Sequence, residues 1–254
     1  MKLTGKVAIV TGGGTGMGRG ICELFGREGA KVVVNYRASK EESEAVAAAI
    51  NAAGGEAIAF QADHVDESQV KAMIEDVGQR WGRLDILVNN AGWSKVTPHR
   101  ELDLLTDEIW DRTLDTNLRG PFYCIRQAAP LIQKSGGGTI INNSSASAYT
   151  AGGSSLVYSA SKAALLNLTI GIARVLAPDI RVNAIAPGHV RTRFAGWSAE
   201  AFEASEAASP LGHLPSFEEV AQVVLFLAAD ATAITGQTIL VDSGRTVLGA
   251  PRKH

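Results

Sequence analysis

Apolar positions along the chain alternate between short continuous runs and longer stretches with helical spacing. Residues 6–10, 31–35, 57–60, 84–88, 139–142 and 180–185 are runs of the kind that forms strands buried on both faces. Between them, helical spacing predicts helices from about 42 to 53, 68 to 81, 107 to 133 and 156 to 176, with Ile21, Leu24 and Phe25 marking another after the first strand. Repeated strand–helix units of this length predict an α/β fold, a doubly wound parallel β-sheet flanked by helices on both faces. One domain is expected to span residues 1–254.

The first strand runs into Thr11-Gly-Gly-Gly-Thr-Gly-Met-Gly18 before the first helix. Strand, glycine loop and helix aim backbone N–H groups and a helix N-terminus at a phosphate, so the sheet is read as a single Rossmann-type, dinucleotide-binding one. Gly-x-Gly-x-x-Gly fits in no frame, and Arg19 stands where a P-loop needs Lys; Thr-Gly-x-x-x-Gly-x-Gly fits through Gly12, Gly16 and Gly18. The second strand ends without the carboxylate that would hold an adenosine ribose, and Arg37 and Lys40 follow instead. Positive charge there suits a ribose phosphate, which favours NADP(H) and leaves NAD(H) possible.

Composition narrows the classes. The chain is 46% apolar and 20% charged, with net charge −2 and no basic run, so nothing points to nucleic acid. No apolar run approaches a membrane span and residues 7–10 are too short for a signal-peptide core, so a cytoplasmic protein is expected. Cys22 and Cys124 fall among apolar helical residues and are expected as buried thiols; His64, His99, His189, His213 and His254 show no ligand spacing, and no metal is expected.

Candidate chemistry lies at the predicted strand ends. Tyr158 and Lys162 stand four apart in the apolar helix, hence on one face, where a fixed ammonium is expected to lower the phenol's pKa from near 10 and make it a general acid or base. Ser145 ends the preceding strand on the same rim. Asp63, past the third strand, is read either as a contact to an adenine amine or as the cap of the next helix. Pro121 has no N–H, so the Asn117 carbonyl loses its helical partner and a kink is expected there, able to hold a water or to serve packing alone. The helix over 156–176 has little polar surface and is expected to be buried, in part against another subunit.

The chain resembles the short-chain dehydrogenases/reductases in their single-domain form, and 3-oxoacyl-acyl-carrier-protein reductase-like members among them. The resemblance runs from Thr11 through Asn89-Asn-Ala-Gly92, Asn117, Ser145, Tyr158-x-x-x-Lys162 and Pro187-Gly188 to Thr235-Gly236 and Val241-Asp-Ser-Gly244. It implies a catalytic set of Asn117, Ser145, Tyr158 and Lys162. Tyr158 would exchange a proton with the substrate oxygen as hydride moves to or from the nicotinamide, Lys162 would also bond the nicotinamide ribose, and a water on the Asn117 carbonyl would link Lys162 to solvent. Cofactor contacts are implied for Gly12, Thr15, Gly16, Met17, Gly18, Arg37, Asp63, His64, Asn90, Ala91, Gly92, Tyr158, Lys162, Pro187, Gly188, Val190 and Thr192. Ser243 departs from a frequent glycine, and the tail over 246–254 is read as packing on a neighbouring subunit.

The function expected is hydride transfer between NADP(H) and a small-molecule carbonyl or secondary alcohol, in a homo-oligomer, tetramer or dimer. The alternative class is a catalytically silent dinucleotide-binding sensor or scaffold. Within the enzyme class, 3-oxoacyl thioester reductase, sugar or polyol dehydrogenase and alicyclic alcohol dehydrogenase stay open. A segment over 193–215 with Phe194, Trp197, Phe202, Leu211 and Leu214 is expected to form a mobile apolar cover on the substrate, and Trp93, Tyr149 and Trp197 could line the pocket.

Overall fold

The six apolar runs become six parallel strands, and Thr238–Val241, not singled out in the sequence, adds a seventh: β1 (Val7–Val10), β2 (Lys31–Tyr36), β3 (Glu56–Gln61), β4 (Ile86–Asn89), β5 (Gly138–Asn143), β6 (Ile180–Pro187) and β7 (Thr238–Val241). The computed structural model describes residues 1–192 and 194–250. Strand order is β3-β2-β1-β4-β5-β6-β7, so successive crossovers run outward in both directions from β1 and β4. Side chains alternate across each strand and sort the core into two layers. Ala8, Val10, Val32, Val34, Ile86, Val88 and Ile141 face one layer, while Val7, Ile9, Val33, Leu87 and Ile140 face the other.

The first layer is covered by α1 (Gly16–Arg27), α2 (Lys40–Ala52) and α9 (Phe217–Ala229), the second by α3 (Glu67–Trp81), α5 (Gly120–Lys134) and α7 (Leu156–Leu176). Cys22 lies in the first layer and Cys124 in the second, both free and buried, and burial pushes both thiols up. Asp85, at the entry to β4, takes the Val7 N–H at 3.0 Å and pairs with Lys6 and Arg83. Remaining helices are α4 (Asp107–Leu114), α6 (Ser147–Thr150), α8 (Ala199–Ala207) and α10 (Arg245–Leu248).

Two expectations change. The helix expected over 107–133 is α4 and α5 joined by a π turn, Asp115–Arg119, in which the Gly120 N–H reaches back five residues to the Asp115 carbonyl. The helix over 156–176 is found as read, but α7 is also apolar and long enough to cross a membrane, contrary to the sequence estimate. Its polar groups are bonded into the domain: Thr169 Oγ1 receives Asn142 Nδ2 at 2.9 Å and Lys162 Nζ donates to the Asn143 carbonyl at 2.8 Å. Ile170 and Val175 of α7 stand 49% and 74% exposed in the single chain.

Candidate active site

The carboxyl ends of β1, β2, β4, β5 and β6 open on one cavity of about 860 Å3, above the point where β1 and β4 part the strand order. Ligands bind at such switch points because neighbouring connections leave to opposite faces and open a crevice. Gly12 and Gly16 take φ of +63° and +54°, which L side chains rarely adopt, and with Thr15 and Met17 they form one wall. Gly18 lies off this wall. A Cβ there would stand 2.1 Å from the Gly12 carbonyl oxygen, so its glycine lets α1 lie directly on the loop.

Beyond β2, Arg37 and Ser39 line the cavity; Ser39 caps α2 without a side-chain bond. Lys40 turns away toward Glu44 at 3.8 Å. Asp63 is off the cavity wall, 3.9 Å from Arg37, and the cap of α3 is Asp66, whose carboxylate receives the Ser68 and Gln69 N–H groups. Neither role weighed for Asp63 is therefore visible in its placement. His64 does line the wall, with Nε2 donating to the Thr116 carbonyl at 2.9 Å.

That bond explains the π turn. Pro121 removes the N–H opposite the Asn117 carbonyl, as expected; in addition the Gly120 N–H has moved to Asp115, so the Thr116 carbonyl leaves the helical pattern and needs an outside donor. His64 is that donor, and burial keeps its pKa low and the ring neutral. Gly120 makes room for it, since a Cβ there would meet His64 Cδ2 at 2.2 Å. Asn117 is buried with its side chain spent: Oδ1 receives the Trp93 N–H at 2.9 Å, and Nδ2 donates to the Trp93 carbonyl and to Ser161 Oγ.

Asn90, Ala91 and Gly92 carry β4 onto the wall, and Pro187, Gly188, Val190 and Thr192 do the same after β6. Ser145, Tyr158 and Lys162 meet on the wall between them. Ser145 follows β5, whereas Tyr158 and Lys162 occupy the first two turns of α7, capped by Ser155 Oγ accepting from the Tyr158 N–H. Tyr158 and Ser145 share this stretch of wall, near enough for the serine to pull the Tyr158 pKa down in part. Lys162 Nζ lies 5.7 Å from the Tyr158 ring centroid.

A family model described as enoyl-(acyl carrier protein) reductase matches residues 12–246. The 3-oxoacyl-(acyl-carrier-protein) reductase of Staphylococcus aureus is 42% identical over 247 residues, 96% of this chain and 99% of that one; the enzyme of the same name from Thermotoga maritima is 36% identical over 250 residues, 97% of this chain and 100% of its own. Among solved structures, a Serratia marcescens short-chain dehydrogenase/reductase superposes with a TM-score of 0.90 at 36% identity, covering 97% of this chain and all of that chain. The chain belongs to the short-chain dehydrogenase/reductase family. It is an oxidoreductase acting on carbonyl or hydroxyl groups.

In this short-chain dehydrogenase/reductase the electrostatics of the pair depart from the sequence expectation. Burial pushes Tyr158 up to about 12, partly opposed by Ser145, and burial pushes Lys162 down to about 7. Desolvation of the pair therefore outweighs the ammonium's pull on the phenol. Behind Lys162 lies a thread of bonds that the sequence did not disclose. Its Nζ donates to the Asn143 carbonyl, Asn143 Nδ2 donates to Asn90 Oδ1 at 3.0 Å, and Asn90 Nδ2 donates to the carbonyls of Thr11 and Gly12 at 2.9 and 3.2 Å. Asn143 ends β5 on the sheet rim, a position that could have marked it.

Phe194, Trp197 and Phe202 line the cavity with Trp93, while Leu211 is 68% exposed, Leu214 is buried off the wall, and Tyr149 is exposed and off the wall. His189, Ser147, Asp242, Arg245 and Thr246 also reach the wall, unforeseen. Thr246 and Arg245 thus turn the start of the tail inward, and residues 251–254, with His254, lie outside the described residues. Among the described residues no cluster of three or more His, Cys, Asp or Glu could hold a metal.

Proposed function

We propose that the protein is an NADP(H)-dependent oxidoreductase interconverting a ketone and a secondary alcohol, with Tyr158 as general acid and base. The observation that carries this reading is the placement of Tyr158, Ser145 and Lys162 together on the wall that also holds the glycine loop. The residues fit a dinucleotide: the left-handed glycines Gly12 and Gly16 open backbone to a pyrophosphate, and Arg37 with the uncapped Ser39 hydroxyl suits a ribose phosphate. When bound, the nicotinamide supplies a hydride to the substrate carbon or accepts one from it.

Ser145 donates a hydrogen bond to the substrate oxygen and orients it. At about 12, Tyr158 is protonated at neutral pH and passes its proton to that oxygen as negative charge builds there. Lys162, fixed by the Asn143 carbonyl, stabilises the phenolate left behind and would bond the ribose of a bound nicotinamide nucleotide. Asn117 acts by position: it grips both peptide groups of Trp93 beside Gly92, whose added Cβ would fall 3.6 Å from Lys162 Nζ. Within the class, the names of the relatives at 42% and 36% identity point to 3-oxoacyl thioesters, whereas the arginine at the far end of the cavity suits a free acid, as argued below.

Tyr158→Phe tests the reading: turnover of ketones with NADPH should fall by roughly a hundredfold or more, the general acid–base share, with cofactor affinity within twofold. Retained turnover removes Tyr158 as the acid. The assembly in this reading is a homo-oligomer joined through the exposed Ile170 and Val175 face of α7, and a monomer in sedimentation at micromolar concentration would rule that out.

A further inference from the structure

The cavity has two cationic ends. Arg37 follows β2 and Arg245 follows β7, on opposite sides of the switch point in the strand order. The glycine loop and Arg37 account for one end; nothing in the chemistry derived so far uses Arg245.

Arg245 is held by a specific chain of bonds. Its Nη1 donates to Ser205 Oγ, on α8, and Ser205 is 2% exposed. The Ser205 hydroxyl lies 2.7 Å from His189 Nδ1. The hydroxyl, with one proton and two lone pairs, joins the guanidinium to the imidazole. Burial and the Arg245 charge lower the His189 pKa and keep the ring neutral. Trp197 and Phe202 flank the imidazole at 5.0 and 6.3 Å between ring centroids, which makes this end largely apolar.

Among the described residues no carboxylate lies within ion-pair distance of Arg245. Asp242 also lines the cavity, but its two oxygens receive the Gly244 and Thr246 N–H groups at 3.0 and 2.7 Å. A guanidinium with four N–H groups left over, on an apolar wall beside a neutral imidazole, suits a planar, bidentate anion.

We propose that Arg245, oriented by Ser205 and His189, binds a carboxylate carried by the substrate, so that oxo acids and hydroxy acids are preferred over neutral ketones and alcohols. This rests on the carbonyl–alcohol reading above and adds the substrate's second functional group. Arg245 is the anchor, and Ser205 is a positioning residue acting through it.

The experiment compares 2-, 3- and 4-oxopentanoate with their methyl esters, which keep the ketone and lose the charge. Wild type should favour at least one acid over its ester in kcat/KM by roughly tenfold to a hundredfold, the worth of a charge-assisted hydrogen bond. Arg245→Met should erase that preference through the acid's KM, leaving the ester's kcat/KM within twofold; Arg245→Lys should restore part of it, and Ser205→Ala should lose part of it. Equal use of acid and ester by wild type, or an equal loss for both in Arg245→Met, overturns the proposal. Quenching of tryptophan fluorescence by the oxo acids, in wild type and Arg245→Met with NADPH present, reads the carboxylate site without turnover. Acid-specific quenching lost in the variant, with no ketone reduced, would sink the carbonyl reading and keep the anion site; no acid-specific quenching sinks the site itself.

Discussion

Gly120→Ala is the sharpest perturbation of the frame behind the site. The new Cβ would be 2.2 Å from His64 Cδ2 and 2.8 Å from Nε2, distances at which the ring must move. Moving it breaks the 2.9 Å bond to the Thr116 carbonyl, and Thr116 is itself buried. Overpacking costs about 1–3 kcal/mol, and an unsatisfied buried carbonyl about 1–3 kcal/mol more. Against these, alanine in a helix gains about 1 kcal/mol over glycine. The net expectation is a loss of about 1–5 kcal/mol, taking both ranges with the helix gain subtracted. Urea unfolding should show it as a lower midpoint at unchanged slope. His64→Ala removes the obstacle, so Gly120→Ala made in that background should be neutral or stabilising, and the double-mutant cycle isolates the contact. A Gly120→Ala protein as stable as wild type, with no coupling to His64→Ala, would refute the link between the glycine, the imidazole and the π turn.

Two further outcomes follow from charge. Lys162 is pushed down to about 7 by burial, below its unfolded value, so between about 7 and about 10.5 the unfolded chain binds the extra proton and stability rises with pH; Lys162→Met should flatten that rise in unfolding measurements, and an unchanged slope would contradict the burial argument. Arg37→Asp should weaken NADP by at least tenfold while leaving NAD within a few-fold in equilibrium titrations, and equal losses would remove Arg37 from the phosphate end.

Much of the frame was legible because its signals are local. A run such as Val7–Val10 can be buried on both faces only in a sheet covered on both sides, and Leu156–Leu176 carries its helix limits in the Ser155 cap and the Pro178 that follows. Ser145, Tyr158 and Lys162 were legible because strand ends and an i, i+4 spacing place them on one rim. What stayed hidden depends on residues far apart in sequence. The fate of the Thr116 carbonyl is decided by His64, fifty-two positions earlier, and Arg245 reaches Ser205 only because α10 folds back over α8. The pKa of Tyr158 was misjudged for a related reason: spacing shows which charge is near, but not how much water the pair has lost.

The thread from Lys162 to the glycine loop has a direction. At Asn90 the NH2 group points toward the loop and the oxygen toward Asn143, and at Asn143 the NH2 group meets Asn90 Oδ1 while the main-chain carbonyl takes Lys162, so every link is a donor meeting an acceptor. An aspartate has the shape of an asparagine but nothing to donate. At position 90 it would set a carboxylate against the carbonyl oxygens of Thr11 and Gly12, and at 143 against Asn90 Oδ1. The substitution smallest in volume is thus among the least tolerated there, and hydrolysis of either amide during ageing, a gain of about one mass unit and one negative charge, would put the loop and the lysine at odds without moving a single heavy atom beforehand.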